Sequence, residues 1–290
     1  MNKSEPLVCI GVPVYNGEKF LKNALDSLLS QTFANFNLII SDNASTDSTQ
    51  LICQEYAQKD KRIQYYRQTK NMGIILNHKF VLTKSTSKYF VWAAADDLWN
   101  NTFLEKNVKI LENNKNFIGS ISEIKKGYNL QDDWKKIVTN TKPKNFTKGE
   151  TVRLICGSYS NRIKILLQLR QESGLYAVYR TEILKKSVDV DELNLWPLQI
   201  LFKIAKFGET NLIDEVLMYK YLFGESGVGT NLSYTLNQKL PLKYVIFPHL
   251  NFTFWCLKKL GIRTVLKNFL LIERYFLQGQ LQLLLDLLKK

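Results

Sequence analysis

The sequence predicts an α/β protein: a mostly parallel sheet flanked by helices, followed by a helical, basic C-terminal extension. Three observations predict it. Residues 7–14 form a near-continuous apolar run, as expected of a strand buried on both faces. Strand-like runs then alternate with helix-period segments as far as residue 120, and repeated strand–helix–strand units imply a parallel sheet covered by helices. From residue 239 onward the composition changes to large apolar and basic residues with almost no acid.

The elements follow in order. Tyr15-Asn16-Gly17 breaks the first strand. Over residues 18–31 Phe20, Leu21, Ala24, Leu25, Leu28 and Leu29 recur at helical spacing. Residues 36–41 read as a second strand and 42–47 as a polar loop. Asp47 followed by Gln50 has the form of an N-cap with its reciprocal partner, opening a helix to residue 57. Residues 63–67 and 89–93 supply two more strands, with a helix over 74–83 between them. A further helix covers 102–111. The pattern weakens over 120–149 into a polar, lysine-rich stretch, with Lys142–Lys148 read as a solvated face. Helical signals return at 151–171 and 196–207, and strand-like ones at 174–179 and 213–221. Residues 224–233, rich in Gly, Ser, Thr and Asn, read as a loop.

Composition narrows the function classes. A chain of 290 residues, 45% hydrophobic and 12% aromatic, is long and apolar enough to bury a sizeable core, which excludes a disordered polypeptide. A net charge of +14 favours an anionic partner. Four widely spaced cysteines without a CxxC pair read as free thiols in a reducing compartment. Without an apolar leader or an apolar run of spanning length, the expected location is the cytoplasm, with surface attachment to a membrane open. Two histidines, His78 and His249, are too few for a histidine zinc site, and His78 reads as a packing or surface residue. No nucleic-acid partner is expected, because the charge is not accompanied by an RNP-like or helix-turn-helix pattern.

Half of the excess charge sits in the tail, where residues 239–290 carry nine Lys/Arg against Glu273 and Asp286. Basic residues beside Phe252, Phe254, Trp255, Phe269 and many leucines suit the inner face of an anionic membrane. They equally suit a helix pair packed on the domain or in a dimer contact.

The candidate chemistry lies where strands end, because ligands of open parallel sheets bind there. Pro13-Val14-Tyr15-Asn16-Gly17-Glu18 follows the first strand, and Asp42-Asn43-Ala44-Ser45-Thr46-Asp47 the second. Asn71-Met72-Gly73 offers a glycine for close backbone approach. Asp96-Asp97 follows an apolar strand directly. Adjacent carboxylates at a strand end are tolerable when Mg²⁺ or Mn²⁺ lies between them and a phosphate, and they also suit an acidic helix start.

Taken together, in order and spacing, these segments resemble glycosyltransferase family 2, over the first 120 residues in particular. The family's Pro-x-Tyr-Asn matches Pro13–Asn16, and its acidic second-strand loop matches Asp42, Asn43, Ser45 and Asp47. Its Asn-x-Gly element matches Asn71–Gly73, and its Asp-x-Asp-type metal motif matches the region ending in Asp96-Asp97. The resemblance implies a GT-A (Rossmann-like) fold and inverting transfer from a nucleoside-diphosphate sugar to a saccharide or lipid-linked acceptor, as in surface polysaccharide or lipopolysaccharide synthesis. It implies that 1–120 binds the nucleotide sugar and 121–235 the acceptor, while the composition marks 236–290 as a basic, amphipathic helical tail. Asp42 would bond a uracil, thymine or guanine base, with Pro13, Tyr15 and Glu18 lining the nucleotide pocket. Asn16, Asn43, Ser45, Asn71, Gly73 and Asp96 would border nucleotide and sugar, and Asp97 with Asp96 would hold Mn²⁺ or Mg²⁺.

Two departures stand out. The first carboxylate of the family's commonest metal motif is Ala94 here, and the segment Leu195-Trp196-Pro197-Leu198-Gln199 lacks the usual catalytic acid. The nearest acids are Asp189, Asp191 and Glu192, and Asp191 is the expected base. The alternative is a catalytically silent protein of the same fold that binds nucleotide sugar or assembles at a membrane.

Overall fold

A computed structural model of the chain describes residues 5–127, 152–169, 172–189, 195–221 and 250–288, together with Lys135 and Thr139. Parallel strands β1 (Val8–Val14), β2 (Phe36–Asp42), β3 (Ile63–Arg67) and β4 (Tyr89–Trp92) form one half of the sheet. They are linked by helices α1 (Leu21–Leu29), α2 (Thr49–Lys59) and α3 (Ile74–Lys84). Residues of β1, β2 and β4 are buried almost without exception, which is why each reads as an apolar run instead of alternating.

The second half reverses direction. β5 (Leu98–Trp99) and α4 (Phe103–Asn113) lead to β6 (Phe117–Gly127), and the chain continues through α5 (Tyr159–Leu169) and a 3-10 turn (Glu172–Tyr176). Then come β7 (Val178–Arg180), α6 (Thr181–Ser187), α7 (Trp196–Ile204) and β8 (Glu209–Tyr221). The sheet order is β3-β2-β1-β4-β7-β6-β8-β5. β7 runs antiparallel to both β4 and β6, and β5 antiparallel to β8, so a parallel half is joined to a mixed one. One large apolar core runs through both halves and includes Phe252, Trp255 and Ile272 of the C-terminal helices α8 (Leu250–Lys259) and α9 (Ile262–Leu288), and a small second cluster joins Leu98 to Tyr219.

Several expected boundaries shift, each for a local reason. The first helix begins at Leu21 instead of residue 18, because Gly17 O accepts the amides of Phe20 and Leu21 and the chain turns once before the helix proper. The helix expected over 151–171 spans only Tyr159–Leu169. Gly157 takes φ 83°, its amide bonds Glu209, and Ile155 bridges to Thr210 of β8 instead. The strand expected over 174–179 is a 3-10 turn followed by the short β7. Asp47 does not cap with Gln50: its Oδ1 takes the Thr49 amide at 3.0 Å and its Oδ2 the Glu18 amide at 3.0 Å. The reciprocal partner is Glu18, whose Oε2 takes the Ser48 amide at 2.9 Å. The described cysteines are free thiols, three of them buried. The lysine-rich 142–148, the loop 224–233, His249 and Asp191 lie outside the described residues.

Candidate functional site

β1 has β2 on one side and β4 on the other, so the chain's winding reverses there and a crevice opens at the strands' carboxyl ends. Every motif segment within the first 100 residues comes to this end of the sheet.

The loops after β1 and β2 are tied to each other before any ligand is considered. Asn16, in the left-handed region at φ 51°, donates its amide to Ser45 Oγ (2.9 Å) and accepts the Thr46 amide on Oδ1 (2.8 Å). The Gly17 amide reaches Thr49 Oγ1 at 2.7 Å, and a Cβ at residue 17 would sit 2.7 Å from Val14. With the reciprocal Glu18–Asp47 pair, the two loops form one preorganised wall. Burial alone would raise the Asp47 carboxyl, but bonds from the Thr49 hydroxyl and the Glu18 and Thr49 amides outweigh it and hold the group below the usual carboxylate range.

Asp42 forms the floor. It is fully buried, with Oδ1 accepting the Ser45 amide at 2.8 Å. Its Oδ2 accepts Tyr65 Oη at 3.0 Å and Arg67 Nη1 at 2.5 Å, while Arg67 Nη2 donates to Ser45 O at 2.8 Å. Tyr65 and Arg67 are the residues that sequence reasoning missed. The signal was present only as register: Asp42 and Arg67 face each other as the last pair of β2 and β3. Asn43 joins the third segment to the floor, donating to Asn71 Oδ1 (2.8 Å) and Gly73 O (3.3 Å) and accepting the Met72 amide (2.9 Å). Gly73 has φ 86°, a left-handed turn that opens α3, and Asn77 anchors that helix by accepting Ser41 Oγ at 2.6 Å. Pro13 is half-buried, whereas the Tyr15 ring, 45% exposed, faces solvent beside this floor.

The acidic pair divides in two. Asp97 is buried and turns inward, where Oδ1 accepts the Tyr221 amide at 3.1 Å, tying the loop after β4 to the end of β8. Asp96 is half-buried; burial pushes its carboxyl above the ordinary aspartate range, and a bond from its own backbone amide and the Lys220 charge pull it partly back. Asp96 is therefore the more outward of the two. Among the described residues no group of three or more His, Cys, Asp or Glu could cage a metal. The pair fits only the other mode, in which one or two carboxylates share a hard cation with substrate phosphates.

On the opposite bank, Trp196 opens α7 from Leu195, which has φ 68°. His78 packs against Trp196 and Trp92, with ring centroids at 4.9 and 6.2 Å. Its Nδ1 lies 2.9 Å from Ile74 O, a carbonyl that can only accept, so the proton sits on Nδ1. Burial pushes its pKa down to about 4, which makes it a neutral packing residue, as the sequence suggested. Asp189 is 90% exposed and lies 3.4 Å from Lys79 Nζ, on the outside of this bank. Lys220 donates to Ser173 Oγ at 3.2 Å, with its ammonium 5.1 Å from the Tyr176 ring.

A family model described as glycosyl transferase family 2 matches residues 9–187. An uncharacterized glycosyltransferase of Rickettsia typhi is 36% identical over 110 residues, which is 38% of this chain and 33% of that protein. TuaG of Bacillus subtilis, named for teichuronic acid biosynthesis, is 30% identical over 111 residues, 38% of this chain and 44% of its own length. The chain thus spans a third of one of these curated relatives and somewhat under half of the other. Among solved structures, S. aureus TarS 1–349 in complex with UDP-GlcNAc superposes with a TM-score of 0.57 at 18% identity, covering 74% of this chain and 58% of that one. A Pyrobaculum calidifontis mannosyltransferase in complex with GDP-Man and Mn²⁺ gives 0.53 at 16% identity, covering 81% and 61%. These likenesses establish the GT-A fold.

Proposed function

The chain belongs to glycosyl transferase family 2, and from that premise we propose that it is an inverting glycosyltransferase working from a nucleoside-diphosphate sugar. The observation that carries this reading is the linked Asn16–Ser45, Glu18–Asp47, Asp42–Arg67 and Asn43–Asn71 network at the strand ends. It is a rigid, polar crevice at the place where an α/β sheet receives nucleotides. Asp42 would accept from the N–H edge of uracil, thymine or guanine once Tyr65 or Arg67, which close over its carboxylate, gives way to the base. Pro13, Tyr15 and Glu18 line the nucleotide, while Asn16, Asn43, Ser45, Asn71 and Gly73 hold the loops that border nucleotide and sugar. Residues 1–120 are read as the donor half, 121–235 as the acceptor half and 236–290 as the tail.

In the proposed step an acceptor hydroxyl oxygen attacks the anomeric carbon from the face opposite the diphosphate. The bond to the diphosphate oxygen breaks, its electron pair leaves with the nucleoside diphosphate, and configuration inverts. The hydroxyl proton passes to a base, for which Asp191 is the candidate in sequence. Mn²⁺ or Mg²⁺, which Asp96 with Asp97 would hold, supplies charge neutralisation to the departing diphosphate. The acceptor is a saccharide or lipid-linked saccharide of surface polysaccharide assembly, in keeping with a relative named for teichuronic acid biosynthesis. The enzyme works in the cytoplasm, peripherally on the inner face of the plasma membrane.

The test is the thermal unfolding of purified protein with UDP, dTDP, GDP or CMP, each with and without Mn²⁺. A ligand at about 100 times its Kd adds roughly 2.7 kcal/mol. One diphosphate should stabilise strongly, with a metal-dependent increment, and Asp42→Asn should remove the effect. If no nucleotide moves the transition in any metal condition, the donor site is misassigned. One observation favours a second reading, a silent nucleotide-sugar binder: residues 195–199 at the start of α7 contain no acid. Release of nucleoside diphosphate from a stabilising donor separates the two.

A further inference from the structure

α9 has two unlike long faces. On the inner one Val265 and Ile272 are buried, and Asn268 bonds Ser160 Oγ at 3.3 Å and Thr264 O at 3.0 Å. This face is satisfied within the chain. The outer face carries Ile262 (66% exposed), Leu266 (67%), Phe269 (49%), Leu270 (81%), Leu277 (64%) and Leu281 (56%). At about 100° per residue these six fall within an arc of roughly 120°, opposite the buried one. Their Cα positions spread over roughly 28 Å of helix. Scattered surface leucines are ordinary, but a ridge of this length, broken among the placed side chains only by the half-buried Glu273, is not. α8 extends the apolar surface with Phe254, 60% exposed, and Leu257, 46% exposed.

Charge identifies what the ridge meets. Arg263, Lys267 and Arg274 are all exposed and fall within about 40° of each other along one margin of the ridge. Lys258 and Lys259 are exposed beside Leu257. Among the described residues of α8 and α9 the only acid whose side chain is placed is Glu273. A second copy docking ridge to ridge in the antiparallel sense would bring two basic margins together, which is repulsive, and a parallel one would leave both margins without an acidic partner among the placed side chains. An anionic bilayer satisfies both features: leucines enter the acyl boundary while guanidinium and ammonium groups meet phosphates. No helix among the described residues is long and apolar enough to cross a membrane, and the ridge is one-sided, as a helix lying in the interface plane requires.

We propose that the outer face of α9, with Phe254 and Leu257 of α8, is the surface that lies on an anionic phospholipid bilayer. This rests on the peripheral placement proposed above and not on the donor chemistry. It also orients the enzyme, because α9 packs on α5 and α8 and the ridge is the face turned away from the sheet.

The experiment is co-sedimentation of the full chain with vesicles of phosphatidylglycerol and phosphatidylcholine in equal parts, and with phosphatidylcholine alone. The expected result is at least about tenfold tighter binding to the anionic vesicles, given roughly fivefold for each basic residue near the surface. Leu266→Ser/Leu270→Ser should weaken that binding by at least about tenfold, since each leucine removed forfeits apolar burial. Arg263→Glu/Lys267→Glu should abolish the preference for anionic lipid. Both pairs are exposed, and an unchanged melting temperature and nucleotide response show that the fold is intact. Equal binding to both vesicle types, or no binding by the unaltered chain, overturns the proposal. So does a dimer that Leu266→Ser/Leu270→Ser dissolves while vesicle binding stays absent, which assigns the ridge to a second copy. Failure of the donor reading shows separately, as a missing nucleotide response with vesicle binding intact.

Discussion

The Arg67–Asp42 pair is where the fold and the proposed donor site meet, and removing Arg67 tests both. Asp42 has no exposed surface, and its carboxylate is balanced by one cation, Arg67, at 2.5 Å. Taking one partner from a fully buried ion pair costs about 3–5 kcal/mol, because a charge stays in a poorly polarisable site. Two features reduce that figure. The Arg67 side chain is 33% exposed, so water can follow a shorter residue in, and Tyr65 Oη and the Ser45 amide still donate to Asp42. Arg67→Met should therefore cost about 2 kcal/mol, part of it the lost bond to Ser45 O. Urea unfolding followed by far-UV circular dichroism measures this, with an unchanged m-value as the control. Asp42→Asn/Arg67→Met should recover at least about 1 kcal/mol relative to the sum of the single changes, because a neutral amide needs no counter-charge. A loss below about 0.5 kcal/mol in Arg67→Met, or strict additivity in the double variant, would refute the account of Asp42 as a buried, cation-balanced carboxylate.

Four further outcomes follow from the same geometry. His78 has a folded pKa of about 4 against 6.5 for the free side chain, so the unfolded chain binds a proton that the folded one refuses. Stability should then fall as pH drops from 6.5 towards 4, by about 2 kcal/mol near pH 4.5, and His78→Gln should flatten that part of the pH–stability curve. Gly73→Ala should cost about 1–3 kcal/mol in urea, since a Cβ meets no atom within 4 Å and the penalty comes from a backbone at φ 86°, ψ 163° that is essentially reserved for glycine; a much larger loss would mean that Gly73 is packed against something. Asp97→Ala should lower the melting temperature, because it leaves the Tyr221 amide without its acceptor. Asp96→Asn should leave the melting temperature unchanged or raised and remove only the Mn²⁺-dependent increment of nucleotide stabilisation; the opposite pattern would move the metal role wholly to Asp97.

The donor half was legible because its information is local. β1, β2 and β4 are buried on both faces and so appear as apolar runs, and the loops that matter begin where each run stops. Asn16 meets Ser45 and Glu18 meets Asp47 across 29 residues, one strand–helix–strand unit. The acceptor half was not legible in the same way. β6 contains Ser120, Ser122, Lys125 and Lys126, and reads as a polar stretch; it is a strand because β7 and β8 pair with it on either side. β5 has two residues and β7 three, too few to show any period. Even the inward turn of Asp97, the residue most readily taken for a metal ligand, depends on Tyr221, 124 residues away. Likewise Lys79 reaches Asp189 across 110 residues. A crevice whose donor side is built from neighbours and whose acceptor side is built from distant pairings should tolerate change unequally. Substitutions in β7 and β8 can re-aim Lys220 and the Ser173 and Tyr176 side chains it meets without touching the nucleotide wall. On the proposed function, that is the physical route by which such a scaffold could change its acceptor while keeping its donor.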